Sequence, residues 1–340
     1  MDNSIRKIKA AVLGTGSWAS ALAQTLIDNG HRVVMYGVDK SEIEDINANH
    51  RNSRYFGDTP LHEDMRATSD PAEAMDGAEL VLITVPTRFV ADALNTVKPY
   101  VRAGTMIVNA SKGFDPNTDQ RMSETIRRVL GDCAIKEVVS IIGPSHAEEV
   151  ILRKTTAICA VSLDLDCARQ VQQIFSNENL RLYINDDEIG AEYGVAMKNV
   201  IALASGMMAG MGIGDNGRAA LVTRGIAEMT RYGMSKGGRQ ETYMGLTGIG
   251  DLVVTCFSPH SRNYQAGFII GSDDSAERFF RENTRTVEGV YSCKVICEDA
   301  MKNDLLMPII SSVYDVLFNG VRPSDAVREL MNRPLTDERI

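Results

Sequence analysis

The sequence has no CxxC pair. Its six cysteines are scattered at Cys133, Cys159, Cys167, Cys256, Cys293 and Cys297, which predicts buried free thiols in a reducing compartment. No apolar run approaches the roughly 20 residues that a membrane span needs, so no membrane insertion is expected. The opening stretch Met1 to Lys7 leads into a strand-like run without a signal-peptide apolar core, and a cytoplasmic protein is expected. Excess positive charge is also missing. The chain carries 36 basic against 45 acidic residues, a net of -9, so no nucleic-acid partner is expected and any anion must be held in a locally basic pocket. Internal repeats and low-complexity linkers are absent. What remains is an ordinary folded composition, 44% hydrophobic and 24% charged over 340 residues, too long for one compact core and suited to about two domains.

The first half alternates β-rich runs with helical stretches. Strands are predicted over Ile8 to Leu13, Arg32 to Tyr36, Leu80 to Val85, Thr105 to Asn109, Val138 to Ile142 and Thr156 to Val161. A helix over Ala19 to Ile27 is stopped by Asn29-Gly30. Such alternation, with strands that are continuously apolar, predicts a doubly wound, mostly parallel sheet covered on both faces. From about Ile189 the texture is helical. Ala191 to Met211 carries small residues one turn apart at Ala202, Gly206 and Gly210, where a neighbouring helix can approach closely. Further helices are predicted over Leu221 to Tyr232, Ala276 to Arg281, Ser292 to Lys302, Ile309 to Phe318 and Ser324 to Asn332. The expected fold is an α/β Rossmann domain over 1–187 followed by an all-α domain over 188–340, divided at the polar patch Asn185-Asp186-Asp187.

Gly14-Thr15-Gly16-Ser17-Trp18-Ala19 follows the first strand and opens a helix. Gly14 permits a tight turn, Gly16 leaves room for a pyrophosphate, Ala19 lets helix and strand pack, and the helix N-terminus faces the phosphates. The acid expected at the end of the second strand falls in Val38-Asp39-Lys40. Asp39 suits the ribose hydroxyls of NAD, Lys40 suits the 2′-phosphate of NADP, and Asp39 as a cap of the next helix is an equal reading. Three polar clusters also follow strands: Val85-Pro86-Thr87, Ser111-Lys112-Gly113-Phe114 and Gly143-Pro144-Ser145-His146-Ala147. The carboxyl ends of parallel strands gather ligands, so these clusters face one crevice, where Lys112 offers a cation and Ser145 a hydroxyl. Read singly, each is a solvated loop or a plain turn.

Two residues compete as proton donor. His146 stands at a helix start and reads as a packed or capping residue. Lys198, inside the apolar, small-residue helix with Asn199 beside it, must either snorkel or find a buried partner. A desolvated lysine can be tuned to act as acid or base. Asp251, behind the glycines of Thr247-Gly248-Ile249-Gly250, could hold its charge or merely cap a helix, and Cys256 reads as a core thiol. Ser261-Arg262-Asn263 joins a guanidinium fork to two small donors, a set suited to phosphate.

Taken in order, GTGSWA at 14–19, SKGF at 111–114, GPSHAEE at 143–149, KNVIALASGM at 198–207, GIGDLVVTC at 248–256, SRN at 261–263 and TVEG at 286–289 closely resemble bacterial NAD(P)-dependent glycerol-3-phosphate dehydrogenase over essentially the whole chain. The resemblance implies reduction of dihydroxyacetone phosphate to sn-glycerol 3-phosphate with NAD(P)H and no metal, supplying glycerophospholipid synthesis, by a homodimer. It implies that Lys198 is the catalytic acid/base, positioned by Asp251 and Thr255. Lys112, Gly143, Ser145, Lys198, Asn199, Asp251, Ser261, Arg262 and Asn263 would line the substrate. The glycine turn with Ser17 and Trp18, together with Tyr55, Lys112, Ala147, Arg262, Thr286 and Glu288, would contact the cofactor. Two positions depart from the family. Val38 stands where many members carry Arg or His, and Thr286 where most are aliphatic and where contact would run through the backbone. A β-hydroxyacid or 6-phosphogluconate-type dehydrogenase shares the Gly-x-x-x-Lys helix motif but not the SKG, GPSHAEE and SRN motifs. A nucleotide sensor on the same fold would have lost Lys198, Asp251 and Arg262, all of which are present.

Overall fold

The computed structural model describes residues 6–335, 337 and 338, so most of the opening stretch, Met1 to Ile5, lies outside the described residues. The chain divides between Glu188 and Ile189 into two compact units.

The first unit is built on eight strands: β1 (Lys9–Leu13), β2 (Arg32–Tyr36), β3 (Ala67–Thr68), β4 (Leu80–Ile83), β5 (Met106–Asn109), β6 (Glu137–Ile142), β7 (Thr156–Val161) and β8 (Leu180–Asn185). They lie in the order β3-β2-β1-β4-β5-β6-β7-β8. Only the β6–β7 pairing is antiparallel. The first six strands have the Rossmann order, which reverses between β1 and β4 and so opens a crevice at their carboxyl ends. Every residue of β4 and β5 is buried, because apolar side chains cover both faces. Leu22, Leu26, Met35 and Val108 belong to one layer, Ile83, Leu94 and Ile126 to the other. Two strands were not expected from the sequence. β3 has only two residues, and β8 alternates buried Leu180 and Leu182 with exposed Arg181 and Tyr183, the pattern of a sheet-edge strand with one wet face.

The second unit is helical, with no strand among the described residues. Its longest helix, Glu188–Gly210, packs against Arg262–Asp273, a helix the sequence reading did not include. The contact is made by glycines on both partners. A Cβ at Gly206 would overlap the carbonyl oxygen of Tyr264, and one at Gly267 would overlap that of Leu203. The small-residue stripe therefore has its partner, and the close crossing sets Asn199 against Asn263.

Candidate active site

In the first unit, β1 is followed by Gly14 at φ +118, a conformation that strains other residues. The chain then enters the helix Ser17–Asp28, whose N-terminal residue Gly16 gives no side-chain cap. A Cβ at Gly16 would meet nothing closer than the Tyr55 hydroxyl at 3.8 Å, so the space above the uncapped N–H groups is open. Trp18 adds a buried indole Nε1 with no partner among the described residues. An uncapped helix end, an open glycine and an orphaned donor fit a pyrophosphate.

Two buried residues that sequence reasoning passed over hold this turn in place. Asn52 donates from Nδ2 to the Thr15 carbonyl at 2.7 Å and to Ser20 Oγ at 2.9 Å. Glu42, 7% exposed, accepts from Thr15 Oγ1 at 2.5 Å. Nothing local in the sequence sets Asn52 apart within the polar run Arg51-Asn52-Ser53-Arg54, or Glu42 from the other acids of its helix. Asp39 does cap a helix, Lys40–Asn49, accepting from the backbone N–H groups of Ser41 and Glu42.

The polar clusters after the strands converge on the same edge of the sheet. Ser111 Oγ donates to the Val85 carbonyl at 2.6 Å, joining the ends of β4 and β5. Lys112 Nζ donates at 3.2 Å to the carbonyl of Gly143, which also accepts from Ser145 Oγ at 3.0 Å. Gly143 sits at φ +149, where a Cβ would press on Ile158 Cα at 2.9 Å. His146 heads the short helix Ala147–Val150, and Ala147 is buried against the core.

In the second unit Lys198 is 5% exposed. Its ammonium donates to Asp251 Oδ1 at 2.5 Å and to Thr255 Oγ1 at 2.9 Å. Thr255 Oγ1 in turn donates to the Asp251 carbonyl at 2.6 Å. The sequence places these partners where they are needed. Leu246–Gly250 forms a π-helical turn that runs into the helix Asp251–Phe257, so Asp251 and Thr255 stand one turn apart on one face. A buried cation requires such a counter-charge. Cys256 beside them is an inert core thiol, pushed up to about 12 by burial.

Ser261 caps the helix Arg262–Asp273, accepting from the Tyr264 N–H at 3.2 Å. Asn263 Nδ2 donates to Asn199 Oδ1 at 3.0 Å, and Asn263 Oδ1 accepts from the Gly289 N–H at 2.9 Å. Gly289 lies in the first turn of the helix Glu288–Lys302, which Glu288 opens. Arg262 is exposed and makes no hydrogen bond or ion pair among the described residues, leaving its fork available. Among the described residues no group of three or more His, Cys, Asp or Glu side chains could hold a metal ion. No helix there is long and apolar enough to cross a membrane.

A Rossmann sheet with an open glycine turn, in a chain that also buries a lysine in a helical unit, defines an NAD(P)-dependent dehydrogenase. Residues 9–168 match the NAD-dependent glycerol-3-phosphate dehydrogenase N-terminus, and residues 187–328 match its C-terminus. The chain belongs to the NAD-dependent glycerol-3-phosphate dehydrogenase family. It is 43% identical over 328 residues to a glycerol-3-phosphate dehydrogenase (NAD(P)+) of Exiguobacterium sp., with 96% of each chain covered. It is 45% identical over 325 residues to the Listeria monocytogenes protein of the same name, again covering 96% of each. The crystal structure of glycerol-3-phosphate dehydrogenase from Coxiella burnetii matches with a TM-score of 0.89 at 32% identity, over 96% of this chain and 99% of that one.

Proposed function

We propose that the chain reduces dihydroxyacetone phosphate to sn-glycerol 3-phosphate with NAD(P)H, reversibly. The observation that carries the mechanism is the buried Lys198 ammonium, hydrogen-bonded to Asp251 and Thr255. When bound, the reduced nicotinamide supplies a hydride to the C2 carbonyl carbon. Lys198 gives a proton to the carbonyl oxygen as charge develops there, so hydride and proton together convert the carbonyl to an alcohol. Asp251 supplies the counter-charge to the ammonium before the step, and Thr255 fixes the direction of Nζ. Arg262, with Asn263 and Ser261, holds the substrate phosphate; Asn199, Lys112, Gly143 and Ser145 complete the substrate's surroundings. Anchoring the remote phosphate lets binding energy orient the carbonyl. Ser17, Trp18 and Tyr55 beside Gly14 and Gly16, with Ala147, Arg262, Thr286 and Glu288, contact the cofactor.

Residues 1–187 form the dinucleotide-binding domain in this reading and residues 188–340 the catalytic one. The reading extends to a cytoplasmic homodimer that feeds glycerophospholipid synthesis. Six unpaired cysteines favour the reducing compartment, and family resemblance favours the dimer and the pathway. Lys198→Ala tests the mechanism. Its kcat is expected to fall by about 10²- to 10⁴-fold while NAD(P)H still binds; near-normal kcat sinks the assignment of Lys198.

A further inference from the structure

The nucleotide preference of this dehydrogenase, an inference that rests on the function proposed above, is written in a cluster drawn from three segments of the first unit. Asp39 stands just beyond β2, where the ribose of the adenosine half is expected. Its Oδ1 is fully engaged, accepting from Ser41 N–H at 2.9 Å, Ser41 Oγ at 2.7 Å and Glu42 N–H at 3.3 Å. Its Oδ2 accepts from Arg54 Nη1 at 3.1 Å. The same nitrogen donates to Glu42 Oε1 at 2.9 Å, which also accepts from the Tyr55 hydroxyl at 3.1 Å. The other Glu42 oxygen holds Thr15 of the glycine turn at 2.5 Å. Hydrogen bonds, chiefly from the Ser41 hydroxyl, keep the Asp39 carboxyl below its ordinary range, so it is charged at neutral pH.

Charge counting decides between the two nucleotides. Arg54 and Lys40 bring two positive charges, Asp39 and Glu42 two negative ones. The guanidinium is already shared by both carboxylates, and Val38 is an exposed apolar residue. Lys40 makes no hydrogen bond or ion pair among the described residues. A ribose 2′-hydroxyl meets the one Asp39 oxygen that has a single partner, and can donate to it. A 2′-phosphate, with a charge of about -1.5 to -2, meets the same carboxylate beside a guanidinium whose charge Asp39 and Glu42 already offset. We infer that Arg54 sets nucleotide choice: pinned between Asp39 and Glu42 it leaves the site neutral overall and selects NADH, whereas a released Arg54 would accept a 2′-phosphate together with Lys40.

Asp39→Asn separates capping from charge, because its amide oxygen still accepts from the helix N–H groups while the claim on Arg54 is lost. Dissociation constants for NADH and NADPH can be read from quenching of Trp18, the only tryptophan, without turnover. The unchanged protein is expected to bind NADH about tenfold or more tighter than NADPH. In Asp39→Asn the ratio should move about 30-fold or more towards NADPH, the equivalent of roughly 2 kcal/mol for a charged hydrogen-bonding group. Asp39→Asn combined with Arg54→Gln should surrender most of that gain. Arg54→Gln alone, which removes the cation from both carboxylates, should weaken NADPH further and leave NADH nearly unchanged. Tighter NADPH binding by the unchanged protein overturns the inference, as does an NADPH gain that survives Arg54→Gln. If folded protein binds neither nucleotide, the dinucleotide reading itself fails, and the inference with it.

Discussion

At the scale of single residues, buried charge was the most informative signal. Lys198 was visible in the sequence because a cation in an apolar, small-residue helix has to be paired, and Asp251 and Thr255 supply that pairing. Glu228 is the opposite case, a buried acid that the sequence reading passed over within the helix Asp215–Ser235. Its carboxylate is 3% exposed and accepts from the N–H groups of Ile309 at 2.7 Å and Ile310 at 3.2 Å, capping the helix Pro308–Phe318 from outside. Burial outweighs those bonds and pushes the carboxyl up from 4.5 to about 7. The folded state thus holds a proton that the unfolded chain has released. This contribution to stability is complete below pH 4.5 and is lost as pH rises through 7. Glu228→Gln keeps an acceptor without the charge. Its Tm relative to the unchanged protein should rise between pH 5 and pH 8, and a pH-independent difference would refute the account.

At the scale of elements, the core strands were legible because both faces are covered and their residues are continuously apolar. β2 and β7 have the bounds read from the sequence. β8 escaped because an edge strand alternates, and β3 because two residues carry no pattern. The helix Arg262–Asp273 escaped for another reason: Gly267 and Gly271 look like helix breakers in isolation, and their use appears only when the glycines of the longest helix lie opposite them. The same blindness to distant partners hid the Asp39–Arg54–Glu42 cluster, whose members come from separate elements. Gly267→Ala tests the crossing. The added Cβ would overlap the Leu203 carbonyl oxygen, and relief by moving backbone should cost about 1–3 kcal/mol. Urea unfolding should show that loss as a lower midpoint at similar slope; an unchanged midpoint would mean that the helices are not so closely packed.

At the scale of the whole molecule, a net charge of -9 opposes the approach of a phosphorylated substrate and an anionic nucleotide. Binding must come from local cations, and the structure offers Lys112 in the first unit and Arg262 in the second, the latter with no hydrogen bond or ion pair among the described residues. The family match runs through both units, and the proposed reaction draws its nucleotide contacts and its proton donor from one chain. The most direct measurement of that claim is loss of absorbance at the reduced-nicotinamide band with dihydroxyacetone phosphate, followed in parallel for NADH and NADPH. The account predicts turnover, with the larger kcat/KM for NADH. Protein that binds reduced nucleotide yet oxidises neither form in the presence of dihydroxyacetone phosphate would contradict it.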